Sequence, residues 1–198
     1  MRHFVYFSSK AATSGSVFSK AGGNLMRAGR MDIAIHTIIQ GLFLSHGFRK
    51  DINIHLVFYG HPTPPRHIEI SVEDELEISK KDIGNLIKKI LYKYREGKKT
   101  EVFPGCFIEK KSLLDVVEEL NAEGNEIFLL DKSGKNIREQ DIPEKNVFVL
   151  GDHEGLPKKE LKMLKKFSTP VSVGKKTYFA SQVVAVVNNE IDFRENSS

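Results

Sequence analysis

The sequence predicts an α/β domain, and three observations predict it. Short apolar runs alternate with amphipathic stretches along the chain. A length of 198 residues suits one domain with a substantial core, and two full domains would be crowded. Apolar residues make up 40% and charged residues 28%, the balance of an ordinary folded chain. A single domain over residues 1–198 is therefore expected.

His3–Phe7 reads as the first strand, followed by a Ser/Gly/Lys loop through Gly15 and Gly22–Gly23. Met31–His46 reads as a helix, because Met31, Ile35, Ile38 and Leu42 share one face and Gly47 offers a stop. Ile52–Tyr59 alternates as a strand and ends in GHPTPPR, where three prolines within four positions forbid regular structure. His67–Ser71 reads as a further strand. Lys81–Arg95 reads as a helix that turns Ile83, Leu86, Ile87, Ile90 and Leu91 inward. Phe103–Phe107, with Pro104–Gly105 inside it, reads as irregular, and Ser112 caps a helix to Leu120. Glu126–Leu130, Val147–Leu150 and Thr169–Val173 read as strands, with a lysine-rich helix starting at Pro157 between the last two. Tyr178–Ile191 contains VVAVV; propensity favours strand, whereas length allows a buried helix.

Composition closes off several classes. No apolar run approaches the roughly 20 residues that span a bilayer. The apolar stretch of MRHFVYFSSK is too short for a signal peptide, so a cytoplasmic location is expected. Cys106, the only cysteine, reads as a small buried hydrophobe. The formal charge of +4 favours polyanions weakly. Lys88, Lys89, Lys93, Arg95, Lys98 and Lys99 form one basic cluster, and Lys158, Lys159, Lys162, Lys165 and Lys166 another. Each reads equally as a solvated face or a phosphate-binding patch.

Standard nucleotide and hydrolase motifs are missing. There is no G-x-G-x-x-G, no H-E-x-x-H and no G-x-S-x-G. VGKKT (Val173–Thr177) resembles the end of a P-loop, but Thr169 stands where the earlier glycine is required. Two glycine-bearing loops after strands remain. Gly151–Pro157 (GDHEGLP) follows Val147–Leu150, and Ser172–Lys176 follows the next strand. Ligands of open α/β sheets bind at the carboxyl ends of strands, where both loops sit. Either alone is a common turn; together, beside Leu129–Leu130, they suggest a pocket without dictating its ligand.

VFVLGDHEGLP followed by SVGKKTYFASQVVAVVNNEID resembles the C-terminal signature of the SPOUT RNA methyltransferases. RMDIAIHTIIQGLF and HPTPPR resemble the archaeal TrmY group, over roughly residues 2–192, with the Nep/Emg pseudouridine methyltransferases as neighbours. The resemblance implies a mostly parallel sheet flanked by helices, a deep C-terminal trefoil knot over about 126–192, a homodimer and a helical last element. It implies S-adenosyl-L-methionine as cofactor and the T-loop of tRNA as partner, with methylation at N1 of pseudouridine 54. Cofactor contacts are implied at Leu129, Leu130, Leu150, Gly151, Asp152, His153, Gly155, Val173, Gly174, Lys175 and Ser181, the last where some relatives carry cysteine.

N1 of pseudouridine is a weakly acidic imide N–H, so methylation must remove that proton; a sulfonium donor needs no metal. Asp32 has two readings. It either stabilises a helix N-terminus or, as the resemblance implies, orients the base or takes its proton, with Arg30 binding phosphate or a carbonyl. The resemblance implies Arg66 as a candidate RNA contact, with Arg27 and Arg2 as weaker ones, each also readable as a surface salt bridge. The rival functions are the same chemistry on ribosomal RNA and a knotted module that binds RNA without turnover. A nucleotide-cofactor oxidoreductase is disfavoured by the missing glycine fingerprint.

Overall fold

The structure, a computed structural model, describes residues 1–22, 25–72 and 78–195, so Gly23 of the expected first loop lies outside the described residues. Strand β1 (Arg2–Ser8) leads to helix α1 (Gly15–Lys20) and helix α2 (Met31–Leu42). A small hairpin, β2 (Phe43–Leu44) with β3 (Gly47–Phe48), precedes strands β4 (Ile52–Phe58) and β5 (Arg66–Ser71). Helix α3 (Ile83–Tyr92), strands β6 (Thr100–Phe103) and β7 (Cys106–Glu109) and helix α4 (Leu113–Ala122) follow. The rest is β8 (Glu126–Asn136), β9 (Asn146–Leu150), α5 (Lys158–Leu164), β10 (Thr169–Ser172) and α6 (Ala180–Glu195).

Eight strands form one sheet in the order β10-β8-β9-β1-β4-β5-β7-β6. The first five in that order run parallel. β5, β7 and β6 extend the sheet antiparallel. The mostly parallel sheet flanked by helices is as the sequence led us to expect. Alternation along β1 sets the layers: Phe4 and Tyr6 join the core with α2, α3 and α6, while Val5 and Phe7 join the core under α4 and α5.

The expected helical faces are buried. Met31, Ile35, Ile38 and Leu42 of α2 are inside, as are all five α3 residues named above. Ser112 Oγ accepts a hydrogen bond from Asp115 N, and the Asp115 carboxylate accepts one from Ser112 N, a reciprocal cap. Cys106 is fully buried.

Several readings differ, four of them with a visible cause. α2 stops at Leu42 rather than His46, because Phe43 turns extended and its ring meets Phe48 edge-on at 4.7 Å across the β2–β3 hairpin. Pro104–Gly105 is a tight hairpin turn between β6 and β7, with Gly105 at φ 71°, the conformation its missing Cβ permits. The first loop contains α1, whose Ser14 cap accepts from Ser16 N and which packs on α3. β8 runs six residues past Leu130. There a Cβ on Gly134 would lie 2.5 Å from Val171 N, so glycine lets β10 approach. Tyr178–Ile191, open between strand and helix, is helical from Ala180.

α6 packs along α2, and Asn188 joins them: its Nδ2 donates to Gln40 O at 3.1 Å, and its Oδ1 accepts from Arg2 Nη1 at 2.6 Å. A row of imidazoles crosses three strands near the start of β1. His3 Nδ1 meets His55 Nε2, His55 Nδ1 meets His67 Nε2, and His67 Nδ1 meets Glu109 Oε1 on β7, each at 3.0 Å.

Candidate active site

The pairing of β8 with β9 ends at Leu129 and Val149, and residues Leu129–Lys132 of β8, with the segments that follow β9 and β10, line a cavity of about 310 Å³. Leu129, Leu130, Leu150, Val171, Val173, Ala180 and Val183 give it apolar walls. Asp131, Asp152, Lys132 and Lys176 stand on its lining. Such a site suits a flat apolar group joined to a tail that carries both charge signs. The loop after β9 is closed on itself by a Gly155 N–H to Asp152 carbonyl bond of 2.9 Å. Gly155 has φ 80°, and a Cβ on Gly151 would come within 2.8 Å of Gly155, so both glycines are required for this turn.

Asp152 ties that loop to the end of β1. Its Oδ2 accepts from Ser9 N and Ser9 Oγ, each at 2.8 Å, and from Ser8 Oγ at 3.4 Å. Glu154 accepts from Ser9 Oγ at 3.1 Å and pairs with Lys10. Lys10 pulls the Glu154 carboxyl below its usual range.

Arg30 and Asp32 stand where α2 begins. Arg30 holds the N-cap position with φ 62° and ψ 40°. Its Nε and Nη2 donate to the two Asp32 oxygens at 3.0 Å each. These bonds lead the forces that lower the Asp32 carboxyl below its usual range, so it is ionised at neutral pH. Arg30 makes no side-chain cap bond, and Asp32 puts a favourable negative charge in the first turn.

Tyr6 connects the two halves. Its Cα pairs with Leu150, which lines the cavity. Burial raises its phenol, and the charges of Asp152 and Asp32 add to the rise.

Most expected cofactor positions converge. Leu129, Leu130, Leu150, Gly151, Asp152, Gly155, Val173 and Gly174 all line the cavity. Three do not. His153 is half exposed beside Glu154. Lys175 is exposed, and its neighbour Lys176 takes the lining position. Ser181, half-buried between Ala180 and Val183 in the first turn of α6, is not on the lining. The site residues expected from sequence left out Asp131, Lys132, Leu161, Val171, Thr177, Tyr178, Ala180 and Val183. Leu161 carried a signal, since an apolar residue one turn into a lysine-rich helix marks that helix's inner face.

The arginine expectations need correction. Arg66 is 3% exposed. Its guanidinium lies 3.3 Å over the Tyr94 ring and donates to Thr63 Oγ1, Pro65 O and Thr13 O. It braces the proline loop instead of facing RNA. Arg2 is also buried, among Asn188, Asp51, Asp192 and Glu195. Arg27 is exposed, three residues before Arg30.

Residues 1–196 match the profile of a family described as "Putative SAM-dependent RNA methyltransferase". The tRNA (pseudouridine(54)-N(1))-methyltransferase of Methanococcoides burtonii is 34% identical over 197 residues, covering 97% of this chain and 96% of that one. Its namesake from Methanocella arvoryzae is 36% identical over 201 residues, covering 98% and 100%. A Vibrio parahaemolyticus protein named "Putative pseudouridine methyltransferase" is 33% identical over 202 residues, covering 98% and 100%. Among solved structures, Archaeoglobus fulgidus Nep1 bound to S-adenosylhomocysteine shares the fold, with a TM-score of 0.62, 16% identity and 97% of each chain covered. With 196 of its residues matched to the profile, the chain belongs to the family of S-adenosylmethionine-dependent RNA methyltransferases.

Proposed function

We propose that this chain transfers a methyl group from S-adenosylmethionine to N1 of pseudouridine 54 in tRNA. The observation that carries the reading is a carboxylate–guanidinium pair, Arg30–Asp32, at the start of the helix beside a cavity fit for the cofactor. Full-length relatives bearing that activity in their names support the substrate. The cofactor supplies an electrophilic methyl on a sulfonium. Leu130, Leu150 and Val173 would take its adenine, Lys132 or Lys176 its carboxylate, and Asp131 or Asp152 its positive groups.

Asp32 would accept the N1 proton. Each oxygen holds one bond from Arg30 and keeps a further lone pair. Its lowered basicity makes it a modest base, so alignment of base and methyl supplies much of the rate. Arg30 fixes the carboxylate's orientation. The knot over 126–192 belongs to the same proposal, supported by α6 leaving the edge strand β10, lining the cavity and returning to α2. So does a homodimer, supported by Phe179 and Phe193, which are 63% and 69% exposed at the two ends of α6. A cytoplasmic site of action fits; among the described residues no helix is long and apolar enough to cross a membrane.

The test is transfer of labelled methyl to T-loop RNAs made with pseudouridine or uridine, beside a ribosomal hairpin. Label on the pseudouridine T-loop is expected. Label on the uridine RNA alone would sink the assignment, and preference for the hairpin would move it to ribosomal RNA.

A further inference from the structure

Lys10 is an exposed lysine on backbone that is fixed from both sides. A Cβ on Gly29 would sit 1.7 Å from the Lys10 carbonyl oxygen, and one on Gly60 would sit 2.2 Å from it. Gly29 has φ 77°, which other residues rarely adopt. Main-chain bonds add to this clamp: Ala12 N to Ala28 O, Gly60 N to Ala11 O, and Thr13 N to His61 O. Thr13 Oγ1 donates to Gly60 O and accepts from Thr63 N. The side chain itself remains 55% exposed.

This clamp sets Lys10 between the two halves of the site. Gly29, against its carbonyl, is followed directly by Arg30. Its ammonium reaches across to Glu154, in the loop whose Gly151, Asp152 and Gly155 line the cavity. A surface ion pair alone needs no such fixing, since exposed pairs contribute little to folding. Both partners stay solvated, so the pair can be exchanged for another anion without leaving a buried charge. The Glu154 main chain would stay anchored after such an exchange, because its N–H donates to Asp152 Oδ1 at 2.9 Å. Arg30, by contrast, is already committed to Asp32 through two bonds.

We propose that Lys10 is an RNA-backbone contact of the site, taking a phosphate near the methylated nucleotide, with Glu154 as the anion that phosphate displaces. The inference rests on the RNA methyltransferase reading. A nucleotide whose base enters between the cavity and Arg30–Asp32 leaves its phosphates at the solvent rim where Lys10 stands. Because Glu154 belongs to the cofactor loop, loading RNA also releases one tether on that loop.

The test measures binding of a pseudouridine T-stem–loop RNA and of S-adenosylmethionine to wild type, Lys10→Gln, Lys10→Arg and Glu154→Gln. Lys10→Gln is expected to weaken RNA binding about tenfold and to reduce the salt dependence of log Kd by about one phosphate contact. Cofactor affinity should change less than about twofold, and Lys10→Arg should restore most of the RNA affinity. Glu154→Gln should bind RNA as tightly as wild type or more tightly, because the competing anion is gone. Unchanged RNA affinity in Lys10→Gln overturns the proposal. So does equal weakening by Lys10→Gln and Glu154→Gln, which marks a structural pair, and so does a parallel loss of cofactor affinity. Wild type that binds the RNA but fails to methylate it counts against the functional reading alone, since these binding data still decide Lys10.

Discussion

In the proposed mechanism Asp32 takes the N1 proton, and its environment makes a definite prediction. Asp32→Asn keeps the shape and removes the negative charge, leaving Arg30 with a weaker partner. The single-turnover methyl-transfer rate should fall by roughly 10²–10⁴, the range of a general base, while cofactor affinity stays within about twofold. An unchanged rate removes Asp32 from the mechanism. The histidine row predicts a pH dependence of stability. One proton arrangement with neutral rings satisfies every contact: each Nδ1 donates, ending at Glu109. Burial lowers His3 to about 4, with Glu69 opposing and the N-terminal ammonium assisting. Burial, then His67, His3, Lys99 and Lys111, lowers His55 well below its usual value. Folded values below unfolded ones mean stability is complete above about pH 6.5 and lost as pH falls toward 4. His3 alone accounts for on the order of 3 kcal/mol at pH 4. Glu109 extends the loss: burial opposes its ionisation, yet bonds from His67 and Lys111 hold it near 2, so its contribution fades below about pH 4.5. Chemical denaturation at pH 7 and pH 4.5 reads the slope, and a flat profile contradicts it. No sequence pattern announced this row, because His3, His55 and His67 become neighbours only through strand register.

At the scale of elements, local chemistry was readable where one residue type decides the outcome. Ser112 alone signalled the cap, and the structure adds the bond that the Asp115 carboxylate accepts from Ser112 N. Ser112→Ala should cost about 1 kcal/mol, read as a shift in urea midpoint without a change in m-value. The α3 stripe was equally clear, since all five of its apolar residues fall on one face. The hairpin at Pro104–Gly105 escaped because a turn dipeptide was taken as the end of order, when it joins two short strands. α1 escaped because its six residues show no period, and it is held by packing on α3. The loop after β9 was found as two glycines four apart, but sequence alone gave it no ligand. Gly151→Ala should push its Cβ against Gly155 and weaken S-adenosylmethionine binding at least tenfold, measured by calorimetry, with a smaller effect on melting temperature.

For the whole molecule, strand order was the least legible property. Nothing local says that β8 and β9 lie on one side of β1 and β4 on the other. Parallel pairing depends on crossovers whose return path is set by packing. Family resemblance supplied the mostly parallel sheet and the helical last segment, which periodicity had left undecided. The junction of Arg2, Asn188 and α2 is the long-range tie that a variant can test. Asn188→Leu removes the acceptor of the buried Arg2 Nη1 and the donor to Gln40 O, and should cost roughly 2–4 kcal/mol. A loss below about 1 kcal/mol in equilibrium unfolding shows that the junction has other support.

That junction bears on how the protein is made. α6 seals α2, carries Ala180 and Val183 of the cavity wall, and leaves the ribosome after every other described element. A nascent chain lacking it exposes the apolar side of α2 and has no closed cavity. S-adenosylmethionine therefore cannot assist folding until α6 has been made.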